Sequence, residues 1–246
     1  TGQPNAMGGR EVGGLANMLA AHLDLDNPSH QKLVQGFWNS PVIAKQAGLK
    51  AVDLFQAVES GKIKAIWIMA TNPVVSLPDA DQVKRALEKC EFVVVSDICA
   101  DTDTTAYADV LLPALGWGEK DGTVTNSERR ISRQRAFLTP PKQAKADWWA
   151  VAQVAKKLGF NGFDFNHPCD IFNEHAALSA YQNASVDQRD QVENFRYFNL
   201  KGLMNLSLDE YNHLRPTQWP VWEKGQSIAV EQLFDRGSFS HKNKKA

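Results

Sequence analysis

Polar side chains follow two short apolar runs in the first half of the chain. Asn72 comes shortly after the first run, 65–69, and Ser96 and Asp97 follow the second run, 92–95. An acid at the end of a strand often hydrogen-bonds the ribose hydroxyls of a nucleotide. Asp97 is therefore a candidate nucleotide ligand. The alternative, a helix-cap or turn residue, is equally compatible with the sequence.

A second group of polar side chains lies in the charged segment 116–135. It holds three acids, neutral donors such as Asn126 and Ser127, and five cations: Lys120, Arg129, Arg130, Arg133 and Arg135. Arginine forks and lysines bind phosphate oxygens well. A solvated run of charges is the usual structure of such a segment. The composition of the segment leaves both a phosphate-binding role and a solvated run of charges open.

The beginning of the chain is rich in glycine. Residues 1–17 contain five of the sixteen glycines, together with Gln3, Asn5 and Arg10. Glycine-rich loops cradle phosphates where they join a strand to a helix, but no strand precedes this segment and neither GxGxxG nor a P-loop is present. We expect a loop here, and both a structural and a ligand-binding role stay open.

The elements that must position these side chains are predicted by hydrophobic patterning. The runs at 65–69 and 92–95 are continuously apolar, which is typical of strands buried on both faces of a parallel sheet. A helix beginning near Asp79 joins them. Further helices are predicted at 51–60, 147–158, 170–181 and 185–196. Asp147 is the N-cap or a first-turn acid of the second of these. A third apolar run covers 110–112.

These patterns predict an α/β fold, with a Rossmann-like parallel sheet flanked by helices and a less regular C-terminal segment. Ligands of such sheets bind outside the carboxyl ends of the strands. Asn72, Ser96 and Asp97 are therefore expected at one site.

Charge and cysteine content exclude several classes of function. A net charge of −1 and a pI near 6.6 argue against nucleic acid or an anionic membrane as the main partner. No apolar run approaches the roughly 20 residues that span a bilayer. Cys90, Cys99 and Cys169 lack CxxC spacing, so we expect reduced thiols rather than disulfides or a metal cluster.

Six motifs occur in a fixed order along the chain: TGQPNAMGGREVGG, ATNP, VVVSD, TTAYADVLLPA, GEKDGTVTNSERR and KADWW. In that order they resemble the dimethyl sulfoxide reductase superfamily of molybdopterin oxidoreductases, which carry molybdenum on a bis(molybdopterin guanine dinucleotide) cofactor. The opening motif resembles the nitrate reductases. The resemblance is specific over 1–149 and continues less distinctively to 221.

The resemblance implies a set of site residues. The implied cofactor contacts are Gln3 (close to the pterin and metal), Asn72, Ser96, Asp97, Lys120 and Asp147. Arg10 resembles an arginine near the substrate channel. The implied reaction is the reduction of nitrate to nitrite by a cytoplasmic enzyme that receives electrons from a donor protein or domain.

The resemblance also implies an internal fragment. The family's cysteine motif for a 4Fe-4S cluster, its metal-ligating residue and its C-terminal cofactor-binding domain do not occur in these 246 residues. We therefore expect the cluster to be bound outside this chain, the remaining domains of the parent to be its partners, and the chain alone to be inactive. We divide it into a molybdopterin-dinucleotide-binding α/β region, 1–158, and a helical and irregular segment packing on it, 159–246.

Two alternatives remain. One is a stand-alone nucleotide-binding or regulatory α/β module that performs no redox reaction. The other is a relative of the formate dehydrogenases.

Overall fold

The computed structural model describes residues 4–141, 143–184 and 194–225. The helices are α1 (Ala6–Glu11), α2 (Pro28–Phe37), α3 (Ala51–Glu59), α4 (Pro73–Ser76), α5 (Ala80–Lys89), α6 (Asp147–Lys157), α7 (Pro168–Ala180) and α8 (Leu208–Asn212). The strands are β1 (Met18–Leu19), β2 (Leu23–Asp24), β3 (Ala65–Met69), β4 (Phe92–Asp97), β5 (Val110–Pro113), β6 (Gly122–Thr125), β7 (Arg130–Gln134) and β8 (Thr217–Gln218).

The centre of the fold is a three-stranded parallel sheet in the order β3-β4-β5. Its strands are the three apolar runs that the sequence predicts. Val93 and Val95 of β4 pack with Ile68 of β3 against helices α3 and α5. Burying such a side chain is worth about 1.5–3 kcal/mol. The predicted α/β class, a parallel sheet flanked by helices, is confirmed.

Helix α5 forms as its sequence predicts. The Asp79 carboxylate caps it by accepting a hydrogen bond of 2.9 Å from the Gln82 amide. Its buried face consists of Val83, Ala86 and Leu87. Their spacing is that of one helix face, which fixes how α5 lies on the sheet.

The segment 116–135 differs from a solvated run of charges, one of the two alternatives that its composition leaves open. It contains β6 and β7, which pair as an antiparallel hairpin, and β8 adds to β7 from the C-terminal part of the chain. The Arg133 side chain is 1% exposed and bonds Asp121. Hydrophobic patterning does not predict this hairpin because no apolar run occurs here, and the hairpin is stabilised by residues distant in sequence.

The glycine-rich start also differs from the predicted loop, because residues 6–11 form α1. Glycine is a poor helix former. Tertiary contacts compensate: the Asn5 side chain accepts a hydrogen bond of 2.9 Å from the Thr125 amide, and the Glu11 side chain is buried. A left-handed residue, Gly13 with φ of 73°, follows the helix.

A second core joins the two ends of the chain. Leu23 and Val34 from the first part pack in one cluster with Phe198, Leu200 and Tyr211. The division into 1–158 and 159–246 stays a prediction, and this core crosses it.

The predicted helices at 51–60, 147–158 and 170–181 correspond to α3, α6 and α7. The predicted helix at 185–196 falls almost wholly outside the described residues. Among the described residues, the helices are too short or too polar to cross a bilayer.

Candidate functional site

The carboxyl ends of the parallel strands meet at one edge of the sheet. The register places Met69 beside Ser96 and Asp97 beside Pro113. The Ala70 amide, just past β3, donates a hydrogen bond of 3.1 Å to the Ser96 carbonyl. The two segments with predicted site residues are therefore brought together.

Asn72 is held by a buried threonine. Its Oδ1 accepts a hydrogen bond of 2.6 Å from the Thr104 hydroxyl, whose oxygen accepts another of 3.2 Å from the Val74 amide. Thr104 is fully buried. The Nδ2 of Asn72 has no hydrogen-bond partner within the described part of the chain, so its two protons remain available to a ligand.

Ser96 is 2% exposed and has a different environment. Its hydroxyl accepts a hydrogen bond of 2.8 Å from the indole nitrogen of Trp67 on the neighbouring strand. In this arrangement the hydroxyl orients Trp67. A cofactor contact by Ser96 stays a prediction.

Asp97 is the last residue of β4 and is a turn residue, one of the two roles that the sequence leaves open. Its Oδ1 accepts a hydrogen bond of 3.0 Å from the Cys99 amide, which closes a turn. Its Oδ2 has no hydrogen-bond partner among the described residues. The turn therefore fixes the carboxylate and leaves one oxygen for a ligand.

Lys120 and Asp147 lie beside the same edge. The Lys145 amide bonds the Pro113 carbonyl at 3.0 Å, and the Leu115 amide bonds the Lys145 carbonyl at 3.2 Å. These bonds extend the edge from β5 to the start of α6, where Asp147 is the first helical residue. Asp147 is thus a first-turn acid and not the N-cap.

The two side chains form an ion pair with Lys120 Nζ 3.0 Å from Asp147 Oδ2, and each is about one-third exposed. Asp147 Oδ1 is buried and has no hydrogen-bond partner among the described residues. Such an oxygen costs about 1–3 kcal/mol. It is the atom of this edge that most needs a donor from elsewhere. We call Asn72, Asp97, Lys120 and Asp147 the carboxyl-edge cluster.

Of the remaining predicted site residues, Arg10 is not in this cluster. Arg10 is exposed on α1, which packs against β6 of the antiparallel sheet. Gln3 lies outside the described residues.

Sequence reasoning missed Glu11, a buried acid on α1. One carboxylate oxygen accepts a hydrogen bond of 2.6 Å from the indole of Trp219 and the other accepts one of 2.8 Å from the Thr125 hydroxyl. Burial raises the Glu11 pKa to about 7, although these bonds oppose the shift. Nearby, burial lowers the pKa of His22 and of His175 to about 4 each.

A small cavity of about 120 Å³ with a mixed polar and apolar lining lies beside Glu11, and its lining includes Asn5, His175 and Phe172. Among the described residues, no group of three His, Cys, Asp or Glu side chains could hold a metal ion. The three cysteines are free thiols, as predicted.

The segment that contains this edge matches a known family. Residues 5–157 match the family model described as molybdopterin oxidoreductase. The chain belongs to this family. Membership of the molybdopterin oxidoreductases implies a molybdenum ion bound through molybdopterin.

Curated relatives agree with this assignment. A nitrate reductase of Shewanella frigidimarina is 58% identical over 221 residues, which are 90% of this chain and 23% of that protein. A nitrate reductase of Klebsiella oxytoca is 54% identical over 96% of this chain and 26% of that protein. The F420-dependent formate dehydrogenase subunit alpha of Methanocaldococcus jannaschii is 40% identical over 80% of this chain and 28% of that subunit. The chain thus spans about a quarter of the length of these relatives.

Proposed function

We propose that this chain is part of a longer molybdenum nitrate reductase and forms one wall of its bis(molybdopterin guanine dinucleotide) site. Nitrate is reduced to nitrite and water by two electrons and two protons. Similarity to the two nitrate reductases, at 58% and 54% identity, supports this substrate. The formate dehydrogenase relative, at 40% identity, is more distant.

The observation that carries the cofactor proposal is the unpartnered Oδ1 of Asp147. It needs a hydrogen-bond donor, and the amino group of guanine is one. Asn72 Nδ2 and Asp97 Oδ2 offer a donor and an acceptor at the same edge, which suits the sugar and base of a dinucleotide. The carboxyl-edge cluster therefore fits the nucleotide part of the cofactor.

The remaining predicted residues complete the proposed site. When bound, the molybdenum cofactor supplies the two-electron redox chemistry. Lys120 places positive charge near the polar groups of the cofactor, and Ser96 and Gln3 are further cofactor contacts. Arg10, exposed on α1, attracts the nitrate anion by charge.

The proposal includes partners. The electrons come from a donor protein or domain through a 4Fe-4S cluster bound outside this chain, in a cytoplasmic enzyme. The other domains of the parent supply the opposite wall of the cofactor site. For that reason this chain alone does not reduce nitrate.

The experiment is an assay of the longer, molybdenum-loaded protein with a reduced dye and nitrate, and with formate and an oxidised dye. We expect nitrite from nitrate and no oxidation of formate. Formate oxidation without nitrite would favour the second candidate, a formate-dehydrogenase-type enzyme, which the relative at 40% identity supports. This chain alone, incubated with molybdate and nitrate, is the negative control.

A binding experiment separates the proposal from a stand-alone nucleotide-binding module. Saturable binding of free guanine nucleotide to this chain, lost in Asp97→Ala and kept in the exposed control Asp103→Ala, would favour the module. We expect no such binding, because one wall of the site holds the cofactor only together with the other.

A further inference from the structure

Strand β3 is an edge strand of the parallel sheet. The Lys64 carbonyl accepts from the Phe92 amide at 3.1 Å, and the Ala70 amide donates to the Ser96 carbonyl at 3.1 Å. Because peptide groups alternate in direction along a strand, the even-numbered residues face β4. The peptide groups of Ala65, Trp67 and Met69 point to the other side, where the described residues supply no strand.

The sequence of β3 is not that of an edge strand. Natural edge strands are protected by lysine, proline, bulges or inward charges. The five residues 65–69 are all apolar and carry none of these devices. A continuous apolar run is typical of a strand that has neighbours on both sides in a parallel sheet.

An apolar cavity of about 240 Å³ runs along this free edge. Its lining includes Leu54 and Phe55 of α3, Trp67 and Met69 of β3, and Leu77 after α4. The space between α3, β3 and α4 is therefore suited to apolar side chains from an added strand.

The position of α3 indicates where that strand comes from. Helix α3 packs beside α5, and Glu59 at its end bonds Gln82 at 3.0 Å and Arg85 at 2.9 Å. Helix α5 connects β3 to β4. Crossovers between parallel strands are right-handed in nearly all proteins. Helix α3 lies on the same face of the sheet as α5. A parallel strand that is connected to β3 through α3 must therefore lie on the side of β3 away from β4.

We propose that a parallel strand from the parent chain, N-terminal to residue 1, pairs with the free edge of β3 and fills this cavity. The only strands among the described residues before α3 are β1 and β2, which pair with each other. The nitrate reductase relatives are about four times as long as the matched region, so the parent has ample chain to supply the strand. This inference depends on the proposal that the chain is part of a longer protein, but not on nitrate as its substrate.

The test compares amide hydrogen exchange in this chain and in the longer protein. Trp67 and Met69 report on the free edge, and Ile66 and Ile68, which face β4, are internal controls. In this chain we expect the amides of Trp67 and Met69 to exchange faster than the controls, on the order of 100-fold. In the longer protein all four amides should exchange slowly.

Two variants of the same helix sharpen the test. Leu54→Glu puts a charge into the cavity, whereas Val52→Glu changes an exposed residue of α3 that does not line it. In the longer protein, Leu54→Glu should restore fast exchange at Trp67 and Met69, and Val52→Glu should not. Circular dichroism of both variants in this chain checks that each still folds.

Three results would overturn the proposal. The first is fast exchange at Trp67 and Met69 in the longer protein. The second is slow exchange in this chain as a monomer, which would mean that another part of the chain covers the edge. The third is slow exchange that appears only as this chain dimerises, which would assign the edge to a second copy. None of these results depends on the nitrate assay.

Discussion

Lys120 Nζ lies 3.0 Å from Asp147 Oδ2, while Oδ1 of the same carboxylate is buried without a partner among the described residues. The pair joins the segment before β6 to the first turn of α6, and the negative charge favours that helix end. One oxygen of Asp147 is thus held by Lys120, and the other lacks a partner among the described residues.

The first prediction concerns the energy of this pair. A double-mutant cycle with Lys120→Met and Asp147→Asn in this chain should give a coupling free energy of about 1 kcal/mol, because both side chains are partly buried. The matched control is the Lys156–Asp164 pair at 2.6 Å, in which Asp164 is 87% exposed. Its coupling should be close to zero in urea unfolding. Equal coupling in the two pairs would contradict a special environment for Asp147.

The second prediction separates the two roles of Asp97. Asp97→Asn keeps an oxygen that can accept the Cys99 amide proton, but replaces the free acceptor oxygen by a donor. We expect the stability of this chain to be unchanged and the cofactor content of the longer protein to fall. If the cofactor content stays at the wild-type level while Asp97→Ala loses stability, Asp97 is only a turn residue.

The third prediction concerns pH. Glu11 has an ordinary pKa of 4.5 and a folded-state pKa of about 7. Between these values the folded state binds the proton more tightly, so the contribution of Glu11 to the free energy of unfolding falls as pH rises from 4.5 through 7. The total loss is on the order of 3 kcal/mol.

Glu11→Gln tests this pH dependence, since glutamine can accept from the Trp219 indole and donate to the Thr125 hydroxyl. The variant should gain stability relative to wild type as pH rises from 5 to 8, measured by urea unfolding. His22 and His175, with pKa values of about 4, lower the stability below pH 6.5. Both residues are present in the two proteins, so their contributions cancel in the difference. A pH-independent difference would show that Glu11 is ionised throughout.

The fourth prediction concerns Arg133 in the antiparallel sheet. Its guanidinium bonds Asp121 at 2.6 Å and the Tyr211 carbonyl at 2.9 Å, and its centre lies 3.9 Å from the Tyr211 ring centroid. Arg133→Met should cost about 3–5 kcal/mol, because it leaves Asp121 and buried carbonyls without their donor. Arg130→Met, at a partly exposed position of the same strand whose ion pair with Glu128 lies at the surface, should change stability little. Similar losses in both variants would contradict the buried network.

The parallel sheet could be predicted from the sequence because its signals are local. The runs 65–69 and 92–95 are continuously apolar, and Asp79 precedes a helix with a clear buried face. The hairpin of β6 and β7 could not be predicted. Its strands are polar, and Arg133 is buried only because Asp121 and the distant Tyr211 surround it. Helix α1 was missed for a related reason, since contacts with Thr125 and Trp219 outweigh its glycines.

The site was predictable in part. The end-of-strand rule brings Asn72 and Asp97 to one edge. Lys120 was one of five candidate cations in the charged segment, and Asp147 was a cofactor contact by the family resemblance alone. The pairing of Thr104 with Asn72 and of Trp67 with Ser96 could not be predicted, because the partners lie 32 and 29 residues apart along the chain. The threonine-rich segment 102–105 was a signal for Thr104. The REVGG motif gave no indication that Glu11 is buried.

The most direct test of the central claim is the molybdenum and pterin dinucleotide content of the longer protein with Asp147→Asn. The control is Asp164→Asn, which removes the exposed carboxylate that pairs with Lys156 near the other end of α6. If the carboxyl-edge cluster binds the cofactor, Asp147→Asn should lose most of both components, while Asp164→Asn and wild type keep them. Full cofactor content in folded Asp147→Asn protein would contradict the account.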